Sequence, residues 1–468
     1  MHIPEISLED PSHVCFAYTH SQINTNAGSK IIHPIHVSLN LQNAAVSSYT
    51  FSSFLYSSSS SSSFFNPYIV DMLSLLVSQS LVRNSFPKAT ALSPVARSFF
   101  STTPSASSNV VNITLPETSF EMYNCERPSL DIEISSDKLV EMYTNMSITR
   151  RLEMTADALY KAKKIRGFCH LATGQEAVAV GIEAALTPQD QLITAYRCHG
   201  FTYMRGGSLV SILAELMGRR DGISKGKGGS MHMFAPAFYG GNGVVGAQVP
   251  LGAGIAFAQQ YLGNKTTTFA LYGDGAANQG QVFESYNMAK LWDLPCVFIC
   301  ENNKYGMGTA ANRASASTEY HKRAGYIPGA RVDGMDALAV FRASEWAKEW
   351  TISGKGPLVM ELTTYRYGGH SMSDPGTTYR TRDEIQQMRS TSDPLMNMKK
   401  RLIDLNIATE AEIKAIDKES RKLVDQAAKE AEASTEPDVG EFCTEVYVRG
   451  TEPKSIRGRV PEESHYFY

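Results

Sequence analysis

The chain has 468 residues, enough to bury a large core, and its apolar and charged shares are ordinary for a folded protein. A net charge of -3 with no long basic run or stripe leaves nucleic-acid binding without an electrostatic footprint. Seven scattered cysteines without Cys-x-x-Cys spacing argue against a disulfide framework or a zinc site, and no stretch of about 20 apolar residues marks a membrane span.

Residues 1–71 read as non-globular. The unbroken run Ser57 to Ser63 is too polar to build a core. From Met72 to Pro116 there is no acidic residue, and Arg83, Lys88 and Arg97 lie among leucines, valines and serines. A basic, serine-rich, acid-poor, amphipathic stretch is the signature of a mitochondrial transit peptide, here 72–103. Arg97-Ser98-Phe99 followed by Phe100-Ser101 resembles a matrix-protease cleavage site. Import reads a free N-terminus, so residues 1–71 are expected to be an artefact of start-site choice, with Met72 the working initiator. The alternative is a translated, unstructured extension.

After an extended segment at 104–134, apolar spacing through Leu139, Met142, Met146, Leu152 and Leu159 predicts a helix over 136–164. A second helix follows Gly174, a short strand covers 191–195, and a helix over 208–218 ends at Gly218. Nine glycines crowd 218–249, implying backbone held close to a ligand or a neighbouring subunit. Pro250 suits the first turn of a helix reaching Leu262. Strand, turn, helix and strand then run from Thr267 to Cys300, and 357–364 form another buried strand. Residues 382–433 are charged and helical, and 451–468 are a tail. Strands alternating with helices predict an α/β fold, a mostly parallel sheet covered on both faces, in one large domain over 135–450.

One turn carries the chemistry. The strand Thr268–Tyr272 enters Gly273-Asp274-Gly275, and the strand Cys296–Cys300 enters Glu301-Asn302-Asn303. The intervening helix and returning strand have similar lengths, so both turns land on the carboxyl edge of the sheet. If the strands are neighbours, about 4.8 Å apart, Asp274 and Asn303 can share one small ion. Magnesium takes oxygen ligands, usually completed by phosphate and water. The glycines admit phosphate, and the following helix offers its N-terminus. A bare glycine turn is the bland alternative. A dinucleotide fold is the sharper rival, since Glu301 ends the second strand. The spacing to Gly280 misses the dinucleotide fingerprint, and Asp274 would face a pyrophosphate without a cation.

Gly-Asp-Gly, 26 residues (276–301), then Asn-Asn is similar to the signature of thiamine-diphosphate enzymes. Gly273 to Gln281, Glu301 to Thr309, Gly240 to Pro250 and His370 to Gly376 resemble the alpha-subunit family of mitochondrial pyruvate dehydrogenase, over about residues 135–450. The resemblance implies the diphosphate-binding half of a thiamine-diphosphate-binding fold. It implies magnesium on Asp274, Asn303 and the Tyr305 carbonyl. Tyr196, Arg197, Gly243, Val245, Gly275 and Ala276 would hold the cofactor, with Phe168 and Ala235 lining the site. His170 and His370 match active-site histidines, suited to managing protons near neutral pH. His199 reads as structural. Gly368 stands where many relatives carry a histidine. Ser371 and, less closely, Thr378 match regulatory phosphorylation sites, and Ala310 replaces a third.

The glutamate that activates the cofactor lies, in that family, on a separate beta subunit, and too little α/β sequence follows Asn303 for a second such domain. The resemblance therefore implies a matrix heterotetramer of two alpha and two beta chains. It implies encounters with lipoyl domains of an acyltransferase core, and with a kinase and a phosphatase. The expected activity is oxidative decarboxylation of pyruvate and reductive acetylation of a lipoyl group. A branched-chain 2-oxo acid enzyme and an inactive regulatory paralogue are the alternatives.

Overall fold

The computed structural model describes residues 109–448, 450, 451, 453, 455–457 and 464–466. The expectations for the start site, the transit peptide and its cleavage fall on 1–108, outside the described residues.

Strands and helices interleave along the chain. Strands β1 (Val110–Thr114), β2 (Phe120–Tyr123) and β3 (Asp131–Ser135) lead into α1 (Ser136–Lys161) and α2 (Glu176–Ala185). Then come β4 (Gln191–Ala195), α3 (His199–Met204), α4 (Leu209–Leu216), β5 (Phe238–Asn242), α5 (Gln248–Tyr261), β6 (Thr268–Gly273), α6 (Gly280–Leu291), β7 (Cys296–Asn302) and a hairpin of β8 (Tyr305–Gly306) with β9 (Thr309–Ala310). Beyond them lie the short α7 (Ala311–Ala314), β10 (Gly329–Asp333), α8 (Ala337–Ile352), β11 (Leu358–Thr363), α9 (Arg382–Ser392), α10 (Pro394–Asp404) and α11 (Glu410–Ala433).

Seven strands form the central sheet in the order β2-β10-β11-β7-β6-β4-β5. All neighbours are parallel except β2, which pairs antiparallel with β10. The expected mostly parallel sheet is therefore present. Its middle strands are apolar on both faces because helices cover both: Phe269, Leu271, Val297 and Ile299 bury into one core, and Ala270, Tyr272, Phe298 and Cys300 into the other. Helix α1 starts where Ser135 Oγ accepts the Lys138 N–H, and it buries Leu139, Met142, Met146 and Leu152.

Several elements depart from the sequence reading. Strand β2 lies inside the segment read as merely extended, yet it closes one edge of the main sheet. Strand β5 lies inside the glycine run. The 222–229 part of that run is explained within the chain itself. The buried Glu215 carboxylate accepts N–H groups of Ser224, Gly226, Gly228 and Gly229 at 2.7–2.9 Å. The loop after Gly218 therefore wraps a carboxylate of its own chain. A Cβ at Gly222 would strike Glu215, which is why glycine is needed there.

Candidate functional site

Strands β6 and β7 are parallel neighbours, with Gly273 opposite Glu301. Asp274 and Asn303 thus leave the sheet side by side, both buried. Lys304, at φ +71°, turns the chain back so that Tyr305 opens the β8–β9 hairpin. That hairpin closes over the glycine turn: a Cβ on Gly306 would stand 3.4 Å from the Gly275 Cα and 3.7 Å from Asp274 Oδ2. Burial pushes the Asp274 carboxyl up to about 6, against opposing backbone hydrogen bonds and the Arg366 charge. Such a carboxylate is ready for a cation. Asn303 Nδ2 donates to Gln175 Oε1 at 3.1 Å, which turns Asn303 Oδ1 toward the turn. Buried Arg366 donates from one Nη1 to Asn303 Oδ1 at 2.9 Å and to the Tyr305 carbonyl at 3.2 Å. Its guanidinium sits where two of the oxygens a metal would use, Asn303 Oδ1 and the Tyr305 carbonyl, meet positive charge.

A second group lies beside the first. His170, Tyr196 and His370 form a ring cluster, with His170 4.4 Å from Tyr196 and 5.4 Å edge-on from His370. Phe168, 65% exposed, stacks at 6.1 Å on His170. Arg197 ties the two histidine segments together by donating to the Leu171 carbonyl and, at 2.9 Å, to the His370 carbonyl. Burial, then the Arg197 charge, pushes His170 down to about 3; burial, then Arg197 and Arg366, pushes His370 down to about 4. Both rings are neutral at pH 7. Each leaves its Nδ1 buried without a protein partner, as does the Gln175 amide nitrogen. Unpartnered buried polar atoms of this kind mark a place for a polar ligand.

The other expected residues fall around these groups. Ala276 is buried just after Gly275. The Val245 carbonyl accepts from Gln281 Nε2 at 3.4 Å, so the 243–246 loop abuts the entry to α6. Gly243 faces His232. Ala235 bridges Phe238 and packs on the main core.

The His370 loop is more firmly held than its small residues imply. Asp374 accepts from His370 N–H at 2.6 Å, Gly376 N–H at 2.9 Å and Tyr379 Oη at 2.6 Å. Buried Arg380 donates to the carbonyls of Arg366, Tyr367 and Gly368, with the rings of Tyr305, Tyr365 and Tyr379 around its guanidinium. Ser371 is buried with its Oγ 2.9 Å from Ser373 Oγ, whereas Thr378 is exposed. His199, read as structural, lies fully buried between Glu153 and Ser230. The sequence reading missed Arg366, Gln175 and the anchoring part of Arg380; only their proximity to recognised motifs signalled them.

A cavity of about 690 Å3 opens at the carboxyl ends of β7, β10 and β11, beside Asn302, Lys304 and Tyr305. It includes neither Asp274 nor the histidines. Among the described residues no cluster of three or more His, Cys, Asp or Glu side chains could hold a metal. The Asp–Asn–carbonyl set is of the oxygen type that suits magnesium instead.

A parallel sheet presenting a buried acid, an amide and a glycine turn at one edge defines a phosphate-and-cation class of site. The chain belongs to the dehydrogenase E1 component family, whose model matches residues 144–440. Enzymes of this family depend on thiamine diphosphate. The mitochondrial pyruvate dehydrogenase E1 component subunit alpha of Saccharomyces cerevisiae is 65% identical over 362 residues, 77% of this chain and 86% of that protein. The Chaetomium thermophilum protein of the same name is 59% identical, over 78% of this chain and 90% of its own. The human somatic form is 55% identical, over 75% and 91%.

Proposed function

We propose that this chain is the alpha subunit of a mitochondrial pyruvate dehydrogenase, acting in the matrix on pyruvate and on a lipoyl group, and leading to acetyl-CoA. The observation that carries this reading is the β6–β7 edge. There Asp274, Asn303 and the Tyr305 carbonyl offer three oxygens for magnesium, beside the N–H groups of Gly275 and Ala276 for a diphosphate. Bound thiamine diphosphate supplies the carbon nucleophile for a 2-oxo acid and accepts the electrons left when carbon dioxide departs. The protein's own work is positioning and electrostatics. Arg197, fixed on two backbone carbonyls, orients the histidine segments and would offer its remaining donors to phosphate. Neutral His170 and His370 can each take up a proton or present a ring N–H to developing negative charge. Tyr196 packs between the two histidine rings and Phe168 stacks on His170. Gly243 and Val245 would border the diphosphate, with Ala235 further along the lining.

Pyruvate in the names of the relatives favours this reading over the branched-chain alternative. An intact Asp274, Asn303 and His370 speak against an inactive paralogue. The alpha chain works with a beta subunit. Large apolar side chains left exposed on α5 and at the end of α6 (Leu251, Phe257, Tyr261, Leu291 and Trp292) fit the contact of a heterotetramer. Lipoyl domains, a kinase and a phosphatase complete the partners. Ser371 and Thr378 are the candidate phosphorylation sites. A phosphate on Ser371 would bring about -1.5 to -2 charges next to Asp374 and open the loop.

Asp274→Ala tests the site. Calorimetry on the assembled tetramer should show loss of magnesium-dependent thiamine diphosphate binding with the fold retained. Wild-type affinity in that variant would refute the assignment.

A further inference from the structure

Behind the histidine cluster a chain of buried polar groups connects three distant elements. Glu153, in the middle of α1, and His199, which opens α3, are both fully buried. His199 Nδ1 lies 2.9 Å from Glu153 Oε2, and its Nε2 lies 3.0 Å from Ser230 Oγ. Ser230 Oγ accepts the His170 N–H at 3.2 Å, and Glu153 Oε1 accepts the Ala172 N–H at 3.0 Å.

Proton positions follow from what each group can do. The Glu153 carboxylate only accepts, so His199 Nδ1 carries a hydrogen. The Ser230 hydroxyl takes the His170 N–H on a lone pair and joins His199 Nε2 at 3.0 Å. The Ser230 carbonyl, 3.2 Å from Nε2, takes the Cys198 thiol at 3.6 Å. Hydrogen bonds run without a break from the His170 peptide through Ser230 and His199 to Glu153, and each polarises the next. Carboxylate, imidazole and hydroxyl in this order would activate a serine nucleophile elsewhere. Here Ser230 is buried and already holds a peptide N–H, so it has no face left for a substrate.

The chain delivers geometry instead. Ser230 holds the amide of residue 170, Arg197 holds the carbonyl of 171, and Glu153 holds the amide of 172. The two peptide groups that flank the 170–171 peptide, 169–170 and 171–172, are thereby fixed. The Cys169 carbonyl in turn takes the Met372 N–H at 2.9 Å, so the segment also supports the loop of His370. The need is local: this segment has no helix or strand of its own, and Gly167 and Gly174 at φ +75° and +94° bracket it. Without side-chain anchors it would keep much of its backbone freedom.

We propose that Glu153, His199 and Ser230 form a positioning relay that sets the ring of His170 for the reaction. None of the three touches substrate. The proposal rests on the reading of His170 as the proton-handling group. The test uses the assembled alpha–beta enzyme with saturating thiamine diphosphate and magnesium. Ser230→Ala should lower kcat roughly 10- to 100-fold through a misplaced ring, with cofactor binding unchanged. The KM for pyruvate should stay within about twofold, because ground-state binding is untouched. Glu153→Gln, of equal volume, should act in the same direction. In a His170→Ala background Ser230→Ala should add no further loss, since both act through one ring. Multiplying losses would overturn the relay, because they would reveal a general effect on the fold. Full kcat in Ser230→Ala beside a crippled His170→Ala would sink the relay alone. Full kcat in His170→Ala would sink the reading of His170, and the relay's catalytic role with it.

Discussion

The Arg366 guanidinium and the neutral histidines show how burial sets charge at single residues. Arg366 is almost wholly buried, and its hydrogen bonds to Asn303 and Tyr305 place a positive charge among oxygens that would otherwise face one another. Burial above all keeps protons off His170 and His370, and that charge, with Arg197, adds to it. The consequence for stability has a definite sign. A histidine held near 3 in the folded state and near 6.5 when unfolded binds fewer protons folded than unfolded between those values. Its contribution is fully present above pH 6.5 and is lost as pH falls toward 3. Urea unfolding between pH 7 and 4.5 should therefore show wild type losing up to about 1.4 kcal/mol per pH unit more than His170→Gln. Parallel curves for the two proteins would mean that the ring is not desolvated.

At the scale of elements, the segment after β11 depends on one buried side chain. Arg380 serves three successive carbonyls, and a Lys at 380 could not spread its single ammonium over them. Arg380→Lys should leave part of the set unsatisfied and cost about 1–3 kcal/mol. Limited proteolysis should then cut within 368–380 faster than in wild type, and an unchanged cleavage rate would remove Arg380 from its anchoring role. This loop also marks where sequence reading ended. Its small turn-forming residues give no sign of the hold that Asp374 and Arg380 exert on the folded loop. The β6–α6–β7 unit was legible because two apolar runs and an acid–amide pair share one edge of the sheet. Helix α2 and strand β4 were legible from periodicity alone. Strand β10 was not, because Gly329–Asp333 mixes glycine, arginine and aspartate and becomes a strand only between β2 and β11. Arg366 and the Glu153–His199–Ser230 chain were invisible for the same reason: each links segments far apart in sequence.

At the scale of the whole molecule, the chain carries the diphosphate edge and leaves an apolar face uncovered. Phe257 and Trp292 meet at 5.7 Å on that face, and both are exposed. A Phe257→Lys change should leave the isolated chain folded by circular dichroism but prevent the heterotetramer from forming in sedimentation with a beta subunit. Full assembly of that variant would move the contact elsewhere. This chain is a pyruvate decarboxylase only in company with a beta subunit. The most direct measurement is carbon dioxide release from carboxyl-labelled pyruvate by the purified alpha chain, the beta chain and the two co-expressed. Each is assayed with and without thiamine diphosphate and magnesium. Turnover should appear only in the co-expressed protein and only with the cofactor. Release by the alpha chain alone, or by the assembled protein freed of thiamine diphosphate, would contradict the account.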